Sequence, residues 1–181
     1  MLASKRFGEN ALKLDIFTKD HGKVSGLVKG GASAKRRAQF DIGNTGSFTW
    51  RGRLAEQLGQ FTVELTGQPA ATNMHNPLAL AVINAIASLV HQCLPERMAE
   101  PEMYEHLLYI LEHLDAPAAE LMSHYIWFEV ELLAASGFPL DLAKCAATGS
   151  TEQLCYVSPK SGCAVSEEAG KPYHDKMLPL P

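Results

Sequence analysis

Between Gly22 and Arg53 the chain places seven cations, Lys23, Lys29, Lys35, Arg36, Arg37, Arg51 and Arg53, against one acid, Asp41. Lys5 and Arg6 add two more near the start. Side chains of this kind neutralise phosphates and release their counterions. The glycines of GLVKGGASAKRR let backbone approach a phosphate closely. The chemistry these nine residues can do is therefore electrostatic capture of a polyanion. The other reading of the same residues is a solvated face, with counter-charges elsewhere on the chain.

Other reactive residues form weaker patterns. Phe48, Trp50 and Phe61 could stack on bases, as in single-strand binders. They alternate on the same faces as Val63 and Leu65, however, which predicts that they fill a core. Glu105-His106 and Glu112-His113 recur seven residues apart. That is about 10 Å along a helix, long for one metal ion. Cys145, Cys155 and Cys163, with His174, could in principle ligate a metal, but the paired C-x2-C spacing of a zinc knuckle is absent. The alternative is a metal-free loop with small buried cysteines. The sequence contains no GxxxxGK[ST], GxSxG or HExxH, so no motif supports an enzyme.

These residues sit in a chain of two electrical halves. Residues 1–66 hold eleven Lys/Arg and six Asp/Glu, a net +5; residues 67–181 hold five and fourteen, a net −9. A basic part joined to an acidic remainder points the first part towards nucleic acid. Met1–Glu9 lacks the apolar core of a signal peptide, and the longest apolar run, Pro77–Leu94, is interrupted by Asn84, His91 and Gln92. A cytoplasmic protein with reduced thiols and no membrane span is expected.

The elements follow from periodicity. Through residues 1–66 the period is two. Leu12, Leu14 and Ile16 oppose Lys13 and Asp15; Val24, Gly26 and Val28 oppose Lys23, Ser25, Leu27 and Lys29. Phe48 and Trp50 oppose Thr49, Arg51 and Arg53, and Phe61, Val63 and Leu65 face inward. With a partial strand at Met1–Lys5, this predicts a five-stranded antiparallel barrel compatible with an OB-fold. Gly67–Asn76 is the expected boundary, giving domains 1–68 and 77–181. Beyond it the period is 3.6 and predicts helices Leu78–Cys93, Glu102–Leu114 and Ala118–Ala135, the last with Asp115 as N-cap and Gly137 as its stop. Leu140–Lys144 reads as a helical turn. Residues 145–170 read as a knuckle-like insert with short strands at Gln153–Val157 and Cys163–Val165, and Tyr173–Pro181 closes no element. The class is α+β.

FGENALKLDIFTKDHGKVSGLVKGG, the basic loop, GNTGSFTWRGRL and LGQFTVEL together resemble the N-terminal part of the bacterial RecO family of recombination mediators. LDLAKCAATGSTEQLCYVSPKSGCAVSEEAGKPYHDKMLPLP is similar to the proteobacterial variant of its later part. The resemblance covers nearly all 181 residues. It implies an OB-fold followed by a helical domain with a zinc-knuckle-like insert. It also implies a non-enzymatic DNA repair protein, cytoplasmic and associated with the nucleoid. Such proteins bind single- and double-stranded DNA and anneal complementary strands. With the partner RecR they help load the RecA recombinase onto DNA coated by single-strand-binding protein. The family's basic surface corresponds to Lys5, Arg6, Lys23, Lys29, Lys35, Arg36, Arg37, Arg51 and Arg53. The helical domain receives the acidic, apolar C-terminal tail of single-strand-binding protein, with helices across residues 102–135 as candidates.

Three departures qualify the resemblance. Zinc-binding members carry two C-x2-C pairs; here Cys145 keeps one position, while Thr148, Ser166 and Ala169 occupy the others, so no cofactor is expected. Family members usually begin several residues before the equivalent of Leu2, and they commonly continue with more helix. A rival reading is a protein-interaction adaptor whose basic face binds acidic peptides.

Overall fold

A computed structural model of the protein describes residues 1–53 and 58–180. The chain divides into two compact units, Met1–Phe128 and Glu129–Pro181. No helix among the described residues is long and apolar enough to cross a membrane.

The first unit opens with strands β1 (Ala3–Phe7), β2 (Ala11–Thr18) and β3 (Gly22–Val28), a short helix α1 (Ala34–Arg37), then β4 (Thr45–Arg51) and β5 (Gly59–Gly67). They form one sheet in the order β1-β2-β3-β5-β4, antiparallel except where β3 and β5 run parallel. The period-two pattern decides the faces. Leu12, Leu14, Ile16, Val24, Val28 and Phe61 turn inward and are buried, joined by Ala32 and Phe40 from the loop around α1. Phe48 and Trp50 pack against this cluster, as their alternation predicts. Glycines make room for the large rings: a Cβ at Gly26 would lie 2.6 Å from the Phe61 ring, and one at Gly52 or Gly59 would collide with the Trp50 indole.

The sheet fits an OB-fold but is not closed as a barrel. The described residues show no ladder between β1 and β4. Just before these strands the Met1 nitrogen donates to the Asn44 carbonyl (2.8 Å) and the Met1 carbonyl accepts from the Gly43 N–H (2.9 Å). Ser4 and Arg6 share the face of Leu14 and Leu12, which a closed barrel would cover, yet they are exposed. β1 also runs two residues further than the expected Met1–Lys5, to Phe7.

Four helices follow: α2 (Pro69–Thr72), α3 (Pro77–Cys93), α4 (Pro101–Glu112) and α5 (Ala118–Ala135). In α3 the Asn76 side chain accepts from the Ala79 N–H (3.2 Å) and Pro77 takes the first turn, where its missing N–H costs nothing. Its buried face, Ala79, Val82, Ile83, Ile86, Ala87 and Val90, has the 3, 4, 7 spacing of a helix stripe. Asp115 does not cap α5. α5 starts at Ala118, so Pro117 is the residue before it, and the Pro117 carbonyl accepts from the Glu120 and Leu121 N–H groups (2.9 and 3.0 Å).

Helices and sheet are stitched together within this unit. After α3 the chain returns to β3, where Glu96 bridges Lys23 and the Arg97 N–H donates to the Lys23 carbonyl (2.9 Å). That segment occupies the part of β3 which β5 does not reach, since β5 pairs only with Gly26 and Leu27. Gly22 is fixed by this approach. Its φ is +61°, and a Cβ there would collide with the Met98 backbone.

The second unit begins in the last turns of α5, which ends on Gly137 (φ +89°). Phe138 N–H donates to the Leu133 carbonyl and Gly137 N–H to the Ala134 carbonyl, the paired bonds of a Schellman stop. Strands β6 (Leu154–Val157) and β7 (Ala164–Ser166) fall within one residue of the two expected strands and pair antiparallel. Two expectations fail in this unit. Leu140–Lys144 is not helical; Asp141 bridges Cys163 alongside the hairpin. The tail does close an element, because β8 (Leu178–Pro179) pairs with β6 and completes a three-stranded sheet. A short helix α6 (Glu167–Gly170) follows β7.

Candidate nucleic-acid interface

The outer face of the five-stranded sheet carries the site. Strand registers align one residue from each strand into a row: Lys5 opposite Lys13, Lys13 opposite Leu27, Leu27 opposite Gln60, and Gln60 opposite Arg51. Two residues on in sequence come Phe7 in β1 and Lys29 just past β3, on one side of the row, and Arg53 past β4, which runs the other way. Together they border a groove of about 650 Å³ between the β1–β2 turn and the ends of β4 and β5. Lys29, Arg51 and Arg53 line it, with Phe7, Leu27 and Leu58 as apolar wall and Glu9 as the acid in the lining. In OB-folds this face and these two connections are where oligonucleotides bind.

The nine cations named from the sequence divide by what they touch. Lys29, Arg51 and Arg53 meet in the groove, and Lys5 stands in the adjoining row. Lys35 and Arg37 are exposed on α1. Arg36 is turned to internal contacts: Nη1 donates to the Lys29 carbonyl (3.2 Å), Nε to Gln39 Oε1 (3.4 Å), and the guanidinium lies 5.4 Å over the Phe40 ring. It holds the basic loop in shape. Lys23 is engaged as well, its Nζ donating to the His91 carbonyl (2.6 Å) in the last turn of α3. Arg6 lies on the opposite face of β1 from Lys5. Among the described residues none of the nine is paired with a carboxylate.

Lys13, not among the nine, joins them through the register. Its Nζ lies 3.2 Å from Asp15 Oδ1. The Asp15 carboxylate is buried and also accepts from Ser25 Oγ (2.5 Å) and His91 Nε2 (3.0 Å). Burial pushes its pKa up, but these hydrogen bonds outweigh burial and hold it below the usual carboxylate value. Alternation with Leu12 and Leu14 put Lys13 on the outer face; only the register puts it between Lys5 and Leu27. Phe7 was missed for a related reason, since the expected first strand ended before it.

The knuckle-like insert has different chemistry. Cys145 is buried, and its Sγ accepts from the Ser166 N–H (3.3 Å) and Ser166 Oγ (3.4 Å). Hydrogen bonds from Ser166 and Thr148 lower its thiol pKa to about 6, against the cost of burial. Cys145, Thr148, Ser166 and Ala169 offer one thiolate where a zinc knuckle needs four ligands, and they do not fit zinc. Among the described residues no group of three His, Cys, Asp or Glu is placed to hold a metal.

Comparison with known proteins places the chain among relatives. Residues 1–69 match the family model for Recombination protein O N terminal, and residues 74–181 match Recombination protein O C terminal. The chain is 47% identical over 183 aligned residues to the DNA repair protein RecO of Beijerinckia indica subsp. indica, covering 100% of this chain and 72% of the relative. It is 45% identical to DNA repair protein RecO of Rhodopseudomonas palustris strain BisB18, covering 100% and 70%. The RecO protein of Methylocella silvestris is 42% identical, covering 100% and 72%.

Proposed function

The chain belongs to the RecO family of recombination proteins, and on that premise we propose that it is a DNA-binding and strand-annealing protein of recombinational repair. In this reading the outer sheet face holds the phosphates of single- and double-stranded DNA. The contacts fall on Lys5, Lys29, Arg51 and Arg53, extended by Lys35 and Arg37 on α1. Lys23 and Arg36 shape the surface rather than touch the nucleic acid. Annealing needs no covalent chemistry and no cofactor. Cations that screen two backbones at once lower the repulsion between strands, and base pairing supplies the free energy. Assistance to RecA loading with RecR, and capture of the single-strand-binding protein's C-terminal tail, belong to the same proposal and are carried by the family resemblance.

The observation that supports the reading is the groove that Lys29, Arg51 and Arg53 line together, with no ion pair to a carboxylate among the described residues. The test is a titration of labelled single- and double-stranded oligonucleotides across a salt series. Binding of both should weaken steeply with salt, by roughly 0.7 to 0.9 log units per phosphate contact for each decade. No binding at low salt, together with capture of an acidic peptide, would favour the adaptor reading.

A further inference from the structure

We propose that the groove seats one unpaired base of a single strand against the ring of Phe7, so that this end of the sheet distinguishes single strands from duplex. The proposal rests on reading the outer sheet face as a DNA site.

Phe7 ends β1 on the face of Lys5 and is 50% exposed. The sheet's other aromatic side chains have structural partners. Phe48 and Phe61 pack edge to face at 5.9 Å in the core, Trp50 packs against the same core, and Phe17 lies 5.7 Å from the Tyr104 ring. Phe7 instead borders the groove that Lys29, Arg51 and Arg53 also line. An aromatic ring beside a row of cations is the pairing that single-strand binders use, with phosphates held by charge and a base face held by the ring. Duplex DNA keeps its base faces stacked on one another, so such a ring adds nothing to duplex binding.

Phe7→Ala and Phe7→Trp test this against a fluorescein-labelled oligo-dT and a labelled hairpin duplex whose turn is closed by a non-nucleotide linker. Loss of one stacked base should lower oligo-dT affinity of the Ala variant by about 5- to 150-fold. Hairpin affinity and both salt slopes should stay at the wild-type values, since no phosphate contact is lost. The Trp variant should keep oligo-dT affinity and show an emission loss on binding that exceeds that of the wild-type protein, which has two tryptophans of its own. Equal losses on both nucleic acids, no loss on oligo-dT, or a Trp variant without added quenching would overturn the stacking role. A wild-type protein that binds neither nucleic acid would overturn the DNA reading itself, a separate result.

Discussion

The outer face of the sheet has two ends built by the same alternation and put to opposite uses. At one end Asp15, Phe17 and Lys23 are met by the helices: Phe17 by Tyr104, Asp15 by His91, and Lys23 by the His91 carbonyl. At the other end Phe7, Lys29, Arg51 and Arg53 border the groove. Both ends present cations on strands, and composition alone does not separate them. A carbonyl at the negative end of a helix accepts from an ammonium, so a lysine held there is engaged by the fold. What makes a basic residue available is the absence of a nearby acceptor, and that is a property of register and helix placement.

The largest effect that would break this contrast is on DNA. Lys29→Ala, Arg51→Ala and Arg53→Ala combined should flatten the single-strand salt slope by about 2 and weaken binding roughly a hundredfold at 0.1 M salt. Lys23→Ala should leave the slope unchanged. Equal slopes for the triple and the single variant would erase the distinction between the ends.

The next effect compares two left-handed glycines, one at each end. Gly8 has φ +63° with open space around it, whereas Gly22 has φ +61° and lies against the Met98 backbone. Gly8→Ala should cost about 1–2 kcal/mol by denaturant titration, the cost of the conformation alone. Gly22→Ala should cost at least about 2 kcal/mol more, because backbone must move. Similar losses at both sites would mean that the β3 approach is loose.

The smallest effect concerns protons. The folded-state pKa of Asp15 lies below its ordinary value, so its contribution is fully present above an ordinary pKa of about 4 and is lost as pH falls through the folded-state pKa. Asp15→Asn should therefore be less stable than wild type near neutrality, with the gap closing in acid. A gap that does not narrow below pH 4 would remove Asp15 from the covered end's hydrogen-bond cluster.

Much of this arrangement was legible in the sequence. The inward sets Leu12/Leu14/Ile16 and Val24/Gly26/Val28, the outward Arg51 and Arg53, and the span of α5 follow from periodicity and stop signals. What was not legible is non-local. The acceptor for Lys23 lies 68 residues away, so none of its chain neighbours shows that its ammonium is already satisfied. Lys13 joins the row through pairing with β1 and β3, not through its neighbours. The open sheet seam was hidden because alternation gives a strand's face but not whether its edge finds a partner. The tail LPLP carries no strand signal of its own, and its pairing with β6 is a tertiary choice.

The Glu96–Lys23 bridge has a practical corollary. A fragment cut near residue 68 would lose the segment that covers that stretch of β3, and with it the helices that shelter Phe17. Such a piece would carry a raw strand border beside a greasy surface, an invitation to pair with its own copies. The smallest independently soluble portion bearing the groove should therefore extend through α4, past Glu112.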